Sequence, residues 1–418
     1  MSDVTQFDHY LKDEGPAALV IREPLMPVEG ADGVLFPATF AAGDGFPGGY
    51  NIDGDPNGTN ICLVDSVGSQ ANRIEPLFAQ EKYRALVPQI VVRAGEKEVN
   101  LLDAGHRAGD AIVRCSELQG TLRDAFKAVL NGDAQPLAKI APTSLVFGVW
   151  DSRDTQAKLP RLVASTIRAF NVRKLTRSAQ YIPAAEYVAT NLLDEPADKT
   201  TKDAYAERGF IHVPAAGSHG GVIATGGVRR DATLGLAALR LLSAGKDENK
   251  TLAMRRYVLG LALTAFTHNP SAYLRQGCLL VLDPSKAKDR TFVEVYPNGD
   301  RQPANMTHET AIKYATATAQ AFGVGDNKTV EFDKDRARKD VKGDAAEGEK
   351  VKGEIVSVDA GGKKFTLKHR RSRFEVSTTE GTVYFKGENE STFEILVVAK
   401  CKVEVELANG FATKVIGK

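Results

Sequence analysis

The segment from Ser144 to Pro183 constrains this chain more than any other, because it concentrates positive charge on one predicted structural unit. An apolar run that ends at Trp150, the single tryptophan, predicts a strand over Ser144–Trp150. Pro160 suits the first position of a helix, and the apolar stripe behind it predicts a helix as far as Phe170. A further strand is expected over Val172–Ile182, which completes a strand–helix–strand unit.

The charge of this unit differs from that of the chain as a whole. Residues 151–182 carry seven Lys or Arg and two Asp, a local balance of +5, whereas the 418-residue chain has a formal net charge of +1. A near-neutral protein that gathers cations on one unit is expected to hold an anionic ligand there. The small net charge argues against a surface coated for non-specific DNA binding, but it permits a localised basic groove.

Several classes of protein are disfavoured by the sequence. No stretch approaches the roughly 20 apolar residues of a membrane-spanning helix, and the polar, acidic N-terminus is not a signal peptide. The four cysteines are scattered without metal or redox spacing, so we expect a cytoplasmic protein without membrane contact. The seven histidines lack H-E-x-x-H spacing, and no G-x-S-x-G elbow is present. No catalytic residue, metal ligand or cofactor is therefore assigned, and a binding protein that is not an enzyme is favoured.

The chain is expected to contain three parts. Residues 1–325 alternate strands, helices and hairpins, which indicates an α+β, ferredoxin-like plan. Residues 326–354 are rich in charges of both signs and are interpreted as a linker. Residues 355–418 alternate with period two and predict a small all-β domain. Its basic stretch around Lys363–Arg373 fits either a charge-protected strand edge or a nucleic-acid contact.

Two further segments are candidates for contact with a nucleic acid. After a predicted strand at Ile61–Val64, a helix with a polar face of Ser66, Ser69, Gln70 and Arg73 fits either a phosphodiester-tracking surface or a solvated face. A Gly-rich segment over 217–230 fits either a structural hairpin or a close phosphate contact, with Asp231 expected to cap a helix from Ala232. It is neither a Walker motif nor a dinucleotide fingerprint.

Other elements are predicted from capping and periodicity. A long helix is expected after Asp103 as its N-cap, with His106 and Asp110 near its start. A hairpin is expected at Gln89–Arg93 and Val99–Leu102. Further predicted elements are a strand at Ala18–Arg22, helices at Asn249–His268 and Met306–Phe322, and strands at Gly277–Leu282 and Thr291–Tyr296.

Several segments in order resemble a known family. LVDSVGSQANRIEPLF, VNLLDAGHRAGDA, LAKIAPTSLVFGVWDSRDTQAKLPRLVASTIRAF, LTRSAQYIPA and HGGVIATGGVRRDATL are similar to the RAMP-superfamily backbone subunit of the type I-U (I-G) CRISPR-associated Cascade. The resemblance runs from about Pro24 to Leu242, more loosely to about Gly325, and does not extend over residues 345–418.

The resemblance implies an RRM-like palm with inserted finger and thumb elements. It also implies that copies stack head-to-tail along CRISPR RNA, beside other Cascade subunits, and leave the guide free to pair with target DNA. Such a heterologous contact builds an open filament. The implied RNA-binding residues are Ser69, Gln70, Asn72, Arg73, Arg107, Arg153, Lys158, Arg161, Arg168, Arg177, His219, Gly220, Gly221, Arg229 and Arg230.

Two alternatives remain. An RNA-processing endonuclease of the same superfamily could use His106 or His219 for acid–base chemistry. An enzyme acting on a phosphorylated small molecule could use the Gly-rich 217–230 segment as a phosphate cradle.

Overall fold

The computed structural model describes residues 3–417 apart from 56–57, 270–271, 343–349, 360, 362, 370–371, 387–388, 399 and 409–410. The fold is mixed α/β with antiparallel sheets and a separate C-terminal sheet region. Two compact units are formed. The first contains Met1–Val91, Glu98–Asp110 and Gly120–Thr329, and the second contains Val92–Lys97, Ala111–Gln119 and Val330–Lys418.

The strands are numbered in chain order. They are β1 (Ala18–Pro27), β2 (Thr39–Phe40), β3 (Gly49–Tyr50), β4 (Ile52–Gly54), β5 (Asn60–Asp65), β6 (Ile90–Ala94), β7 (Lys97–Asn100), β8 (Val149–Trp150), β9 (Lys158–Leu159), β10 (Val163–Phe170), β11 (Val172–Tyr181), β12 (Val213–Ala224), β13 (Val228–Gly235), β14 (Tyr273–Arg275), β15 (Cys278–Leu282), β16 (Thr291–Val295), β17 (Arg301–Pro303), β18 (Lys328–Glu331), β19 (Lys350–Asp359), β20 (Lys364–His369), β21 (Ser372–Lys386), β22 (Asn389–Ser391), β23 (Lys402–Ala408) and β24 (Phe411–Gly417).

The helices follow the same order. They are α1 (Val67–Ile74), α2 (Ala111–Arg114), α3 (Gln119–Leu130), α4 (Gln135–Ile140), α5 (Thr143–Phe147), α6 (Lys199–Glu207), α7 (Leu236–Leu239), α8 (Glu248–Thr267), α9 (His308–Phe322), α10 (Lys334–Lys342) and α11 (Phe393–Leu396). Short 3₁₀ turns occur at Asp8–Leu11, Glu75–Ala79, Arg84–Leu86, Leu101–Asp103, Arg107–Gly109 and Pro284–Asp289. None of the helices in the described part of the chain is long and apolar enough to cross a membrane.

The first unit is built on an antiparallel sheet with strand order β14-β15-β1-β13-β10-β5-β4, and β16 pairs with β1 and β17. Side chains alternate across each strand, so the sheet has two faces. On β13, Arg230, Ala232 and Leu234 are buried, and α8 packs against this strand. We call this helix-covered side the back face. Arg229, Asp231 and Thr233 lie on the opposite, more exposed side, the front face.

Helices α8 and α9 cross closely behind the sheet. Gly260 of α8 makes this possible, because a Cβ there would lie 2.7 Å from Thr318 Oγ1 and 2.8 Å from Ala315 Cα. From Tyr257 to Phe266 every residue of α8 is buried. A helix that is apolar on all sides is typical of a buried core helix.

A two-stranded ribbon, which we call the arm, continues from the centre of the sheet. Strands β10 and β13 pair antiparallel, and their continuations β11 and β12 also pair antiparallel. Asn171 lies between β10 and β11, and Gly227 lies between β12 and β13. These two residues have φ values of +48° and +83° at the junction of the sheet and the arm. The connection over 182–212 contains α6.

The strand–helix–strand prediction for the basic unit was wrong. The predicted helix is strand β10, and most of the predicted strand at Ser144–Trp150 is helix α5. Val163, Ile167 and Phe170 have helical spacing, but Val163, Thr166 and Ile167 are β-branched and favour strands. Both faces of β10 are at least partly covered, so its pattern lacks the clear alternation of a half-exposed strand.

Two other predicted helices were also wrong. Asp231 lies within strand β13 and caps no helix, since α7 begins at Leu236. The long helix expected after Asp103 is instead a 3₁₀ turn at Arg107–Gly109 followed by α2 and α3. Arg107 has φ +53°, a left-handed conformation that interrupts a right-handed helix.

Elements with strong local signals were confirmed. Helices α8 and α9 lie where the periodicity predicts them, and α9 ends at Gly323, which has φ +73°. The β6–β7 hairpin, strands β1, β5, β15 and β16, and helix α1 were also found. Ser66, which was expected on the polar face of this helix, is its N-cap.

In the second unit, the strands from β19 onward form a sheet that closes on itself. The strand order is β20-β19-β23-β24-β21-β22, and an additional β20–β21 pairing completes the ring. Thirteen buried hydrophobic residues form its core within the described part of the barrel, among them Ile355, Phe365, Leu367 and Val405. The charged 326–354 segment contains β18, α10 and the start of β19.

Candidate nucleic-acid interface

A groove lies on the front face of the sheet in the first unit. We call it the front groove, and its cavity volume is about 750 Å³. Strands β1, β13 and β16 form its floor, because Arg22 is in register with both Asp231 and Thr291. Its other charged and aromatic lining residues are Phe170, Arg229, Lys286, Asp289 and Arg301.

One carboxylate organises the centre of the front groove. Arg229 Nε lies 3.0 Å from both carboxylate oxygens of Asp231, and Arg22 Nε donates to Asp231 Oδ1 at 3.2 Å. The Arg229 guanidinium lies 4.7 Å from the ring centroid of Phe170, within cation–π range. Asp231 therefore fixes two arginines in place, and Phe170 supports one of them.

Further cations around the groove are not neutralised in this way. Arg168 is directly opposite Arg229 across the β10–β13 ladder, and its Nη1 donates to Thr166 Oγ1 at 2.6 Å. Neither Arg168 nor the two exposed cations Lys286 and Arg301 forms a salt bridge with any described residue. Because Asp231 already neutralises Arg229, Arg168 is the member of this pair whose charge an anionic ligand would compensate.

Glycines at the rim of the front groove let a lysine side chain approach the backbone closely. Gly227 has φ +83°, and a Cβ built on it would lie 3.0 Å from Lys286 Nζ. A Cβ on neighbouring Gly226 would approach Phe170 to 2.9 Å. The turn between β12 and β13 thus needs residues without side chains to pack against the groove.

The predicted helical RNA face is instead organised around a buried carboxylate. The Asp65 side chain is fully buried and accepts from Ser69 Oγ at 2.9 Å, Gln70 Nε2 at 2.6 Å and Arg73 Nε at 3.2 Å. It also accepts from Arg275 Nη2 at 2.7 Å. Gln70 is 1% exposed, and its Oε1 accepts from Ser165. Three polar side chains of this helix therefore bond to Asp65; Gln70 is buried, whereas Arg73 is exposed.

Arg107 is also an internal residue. It is 3% exposed, and its Nε lies 2.6 Å from Glu75 Oε2. Its Nη2 donates to Asn72 Oδ1 at 3.2 Å, and Asn72 itself is exposed. Burial raises the pKa of the Glu75 carboxyl to about 7, outweighing the lowering effect of Arg107.

The cations after Trp150 lie at a different place from the front groove. Lys158 Nζ is 5.4 Å from the ring of Trp150, which is 56% exposed. Arg153 and Arg161 are exposed, and Arg161 Nη2 lies 3.9 Å from the position of a Cβ on Gly68, in the first turn of α1. Arg161 precedes β10, whereas Arg168 is near its end.

The remaining candidates on β11 and β12 belong to the base of the arm. Exposed Arg177 lies 5.9 Å from the ring of Phe36. His219 packs against Tyr50 with a ring separation of 5.0 Å, and its buried Nδ1 has no hydrogen-bond partner in the described structure. Gly221 has φ +93° and donates to Tyr50 Oη at 3.0 Å, while Gly220 lies against the backbone of Thr176.

Of the predicted residues, Arg229 lines the front groove and Arg168 lies directly opposite it on β10, whereas Arg230 lies on the back face. Arg230 is 4% exposed and forms a salt bridge with Glu23 at 2.7 Å. Sequence reasoning missed the groove residues Arg22, Phe170, Lys286 and Arg301. The sequence did predict strands β1 and β16, which form part of the groove. It did not show that these strands lie beside β13, because that follows only from the strand pairing.

The described residues offer few side chains for metal binding or acid–base catalysis. Among the described residues, no group of three or more His, Cys, Asp or Glu side chains could hold a metal ion. His106 is highly exposed, and its Nδ1 lies 3.5 Å from Asp110 Oδ2.

Comparison with known proteins gives one family. Residues 19–174, just over a third of the chain, match the family model described as CRISPR-associated protein GSU0053. The match supports a CRISPR-associated, defence-related protein. No curated protein matches the chain.

Proposed function

We propose that this chain is a non-catalytic backbone subunit of a type I-G CRISPR Cascade that binds CRISPR RNA. Copies would stack head-to-tail along the guide and hold it ready to pair with target DNA. The front groove is the observation that carries the proposal. Lys286 and Arg301, which form no salt bridge with a described residue, and the ring of Phe170 suit a single RNA strand, which proteins hold by phosphate contacts and stacking.

The connectivity of the first unit supports an RRM-like palm. Leaving out the inserted strands and helices, the chain runs through β1, the helices α3–α5, β10, β13, α8 and the strands β15 and β16, which both pair with β1. This is the β-α-β-β-α-β order of ferredoxin-like folds. The exposed sheet face of that fold is the RNA platform in RRM proteins.

The arm supports assembly into a filament. It is inserted between two central strands, in the position expected for a finger or thumb. At its far end Tyr181, Ile182 and Leu192 expose large apolar side chains. A neighbouring copy would cover these groups in a heterologous contact.

A salt series tests the RNA-binding groove. We expect affinity of the full chain for CRISPR RNA to fall steeply with salt, because phosphate contacts release counterions. Lys286→Glu with Arg301→Glu should weaken binding and reduce the slope of log K against log salt by about 1.4, since each single-strand phosphate contact contributes about 0.7. Filter binding measures both quantities.

The matched control reverses two exposed lysines elsewhere in the first unit, Lys127→Glu with Lys246→Glu. It should retain wild-type affinity and slope. A flat salt response of the wild type, or equal losses in both double variants, would contradict the proposed groove.

An RNA-processing endonuclease of the same superfamily is the second candidate, because the exposed His106 lies 3.5 Å from a carboxylate oxygen of Asp110. Incubation with precursor CRISPR RNA separates the two functions. The backbone subunit leaves the precursor intact, whereas a site-specific cut that His106→Ala abolishes would establish the endonuclease.

A further inference from the structure

The C-terminal barrel has a specific connectivity. Among β19, β20, β21, β23 and β24, taken as first to fifth, the first pairs with the second and the second with the third. The third pairs parallel with the fifth, the fifth antiparallel with the fourth, and the fourth with the first. Helix α11 lies between the third and fourth strands. This is the Greek-key connectivity of an OB-fold.

From this connectivity and the charge of one face, we infer that the barrel is an OB-fold module that binds single-stranded nucleic acid across β20 and the part of β21 that pairs with it, residues 372–377. The site is separate from the front groove and is independent of the proposed guide-RNA function. In OB-folds the second and third strands form the ligand-binding face.

The barrel core is complete without the charged face. Phe365 and Leu367 of β20 and Val376 of β21 are buried inside it. Leu396 of α11 packs so closely against β24 that a Cβ on Gly417 would lie 2.4 Å from it. Folding of the barrel therefore does not require cations on its outer surface.

The outward side chains of β20 and β21 form a polar, cationic surface. Lys364, Thr366 and Lys368 alternate with buried Phe365 and Leu367 of β20. On β21, Glu375 and Ser377 lie on either side of buried Val376, and Arg373 is exposed. In the ladder, Lys368 is directly opposite Arg373. These outward positions carry no large apolar side chain, so the surface lacks the apolar centre of a stable protein interface.

The Lys368–Arg373 pair is unfavourable for the ladder by itself. Like charges on directly opposite residues destabilise a sheet. Lys364 is neutralised by Glu375 at 3.1 Å, and Lys352 by Glu404 at 3.2 Å. In contrast, Lys368 and Arg373 form no salt bridge with a described residue, although Glu354 lies opposite Lys368 on β19.

Phosphate groups of a strand lying across β20 and β21 would compensate these two charges. Hydroxyls of Thr366 and Ser377 lie on the same outward surface and can donate to phosphate or sugar oxygens. A single strand follows such a face, since OB-folds combine a cationic groove with backbone tracking over a few nucleotides.

The test uses the full chain carrying Lys368→Glu with Arg373→Glu. The matched control is Lys386→Glu with Lys400→Glu, which reverses two exposed lysines elsewhere on the barrel. Fluorescence anisotropy measures binding of a labelled mixed-sequence single-stranded DNA and of its duplex. The site variant should bind the single strand several-fold more weakly than the control, with a salt slope smaller by about 1.4.

Both barrel variants are also measured in the Lys286→Glu, Arg301→Glu background, which removes front-groove cations. The loss of single-strand binding caused by the barrel variant should persist in this background. A failure of the guide-RNA proposal and a failure of the barrel site therefore give different results. Circular dichroism confirms that the variants fold. Single-strand binding equal to the control overturns the inference, as does a site variant that loses only self-association in sedimentation.

Discussion

At the scale of single residues, the partner of each charge decides its role. Gln70, Arg107 and Arg230 all looked available for RNA in the sequence, yet each is buried and bonds to a carboxylate of the first unit. A buried charge needs such a partner, because desolvation otherwise costs several kcal/mol. The sequence lists cations, but it does not distinguish those with internal partners from those left free.

The buried Glu75–Arg107 pair gives a pH prediction. Burial raises the pKa of Glu75 from 4.5 to about 7. Since the folded-state pKa is raised, the carboxyl stabilises the fold most below about pH 4.5 and loses that contribution as the pH rises to about 7. The free energy of unfolding of wild type minus that of Glu75→Gln should therefore fall across this range, as measured by urea unfolding at several pH values.

Glu309→Gln is the control for that measurement. Its hydrogen bond with Lys313 lowers the pKa of the exposed Glu309 carboxyl. The free energy of unfolding of wild type minus that of Glu309→Gln should rise slightly with pH. A carboxyl whose pKa is lower in the folded state than in the unfolded state stabilises the fold at pH values above the unfolded-state pKa. Parallel pH profiles for the two variants would contradict the assignment of the Glu75 shift to burial.

At the scale of elements, pairing with distant strands decided between helix and strand where the local periodicity did not. The apolar spacing in β10 fits a helix, but β5 and β13 flank the segment and select the extended form. Helices α8 and α9 were predicted well because caps and periodicity agree over many turns.

The crossing of α8 and α9 gives a prediction with opposite signs at two helical glycines. Gly260→Ala should lower the free energy of unfolding by about 1–3 kcal/mol, because its Cβ meets Ala315 and Thr318. Gly120→Ala on α3 meets no atom within 4 Å and should raise stability by up to about 1 kcal/mol. Thermal and urea unfolding of both variants measure the effects; stabilisation by Gly260→Ala would contradict the close crossing.

At the scale of the whole molecule, the proposed function predicts assembly along RNA. The full chain expressed with CRISPR RNA should elute as a ladder of RNA-bound oligomers, because a heterologous contact does not close on itself. The number of copies should increase with guide length, as measured by native mass spectrometry or sedimentation. A single RNA-free species at all guide lengths would contradict the filament. Truncating the apolar end of the arm should reduce the number of copies in the RNA-bound oligomers.

The sequence by itself determined the mixed α/β composition, the β-rich C-terminal region, the long helices and the concentration of cations around β10 and β11. These follow from local patterns of spacing, capping and charge. Only the tertiary structure decided which cations share a surface, because Arg22, Arg229, Lys286 and Arg301 meet through pairing between strands and turns far apart in the chain. It also decided the barrel connectivity, since parallel pairing of β21 with β24 is a long-range contact that no local pattern records.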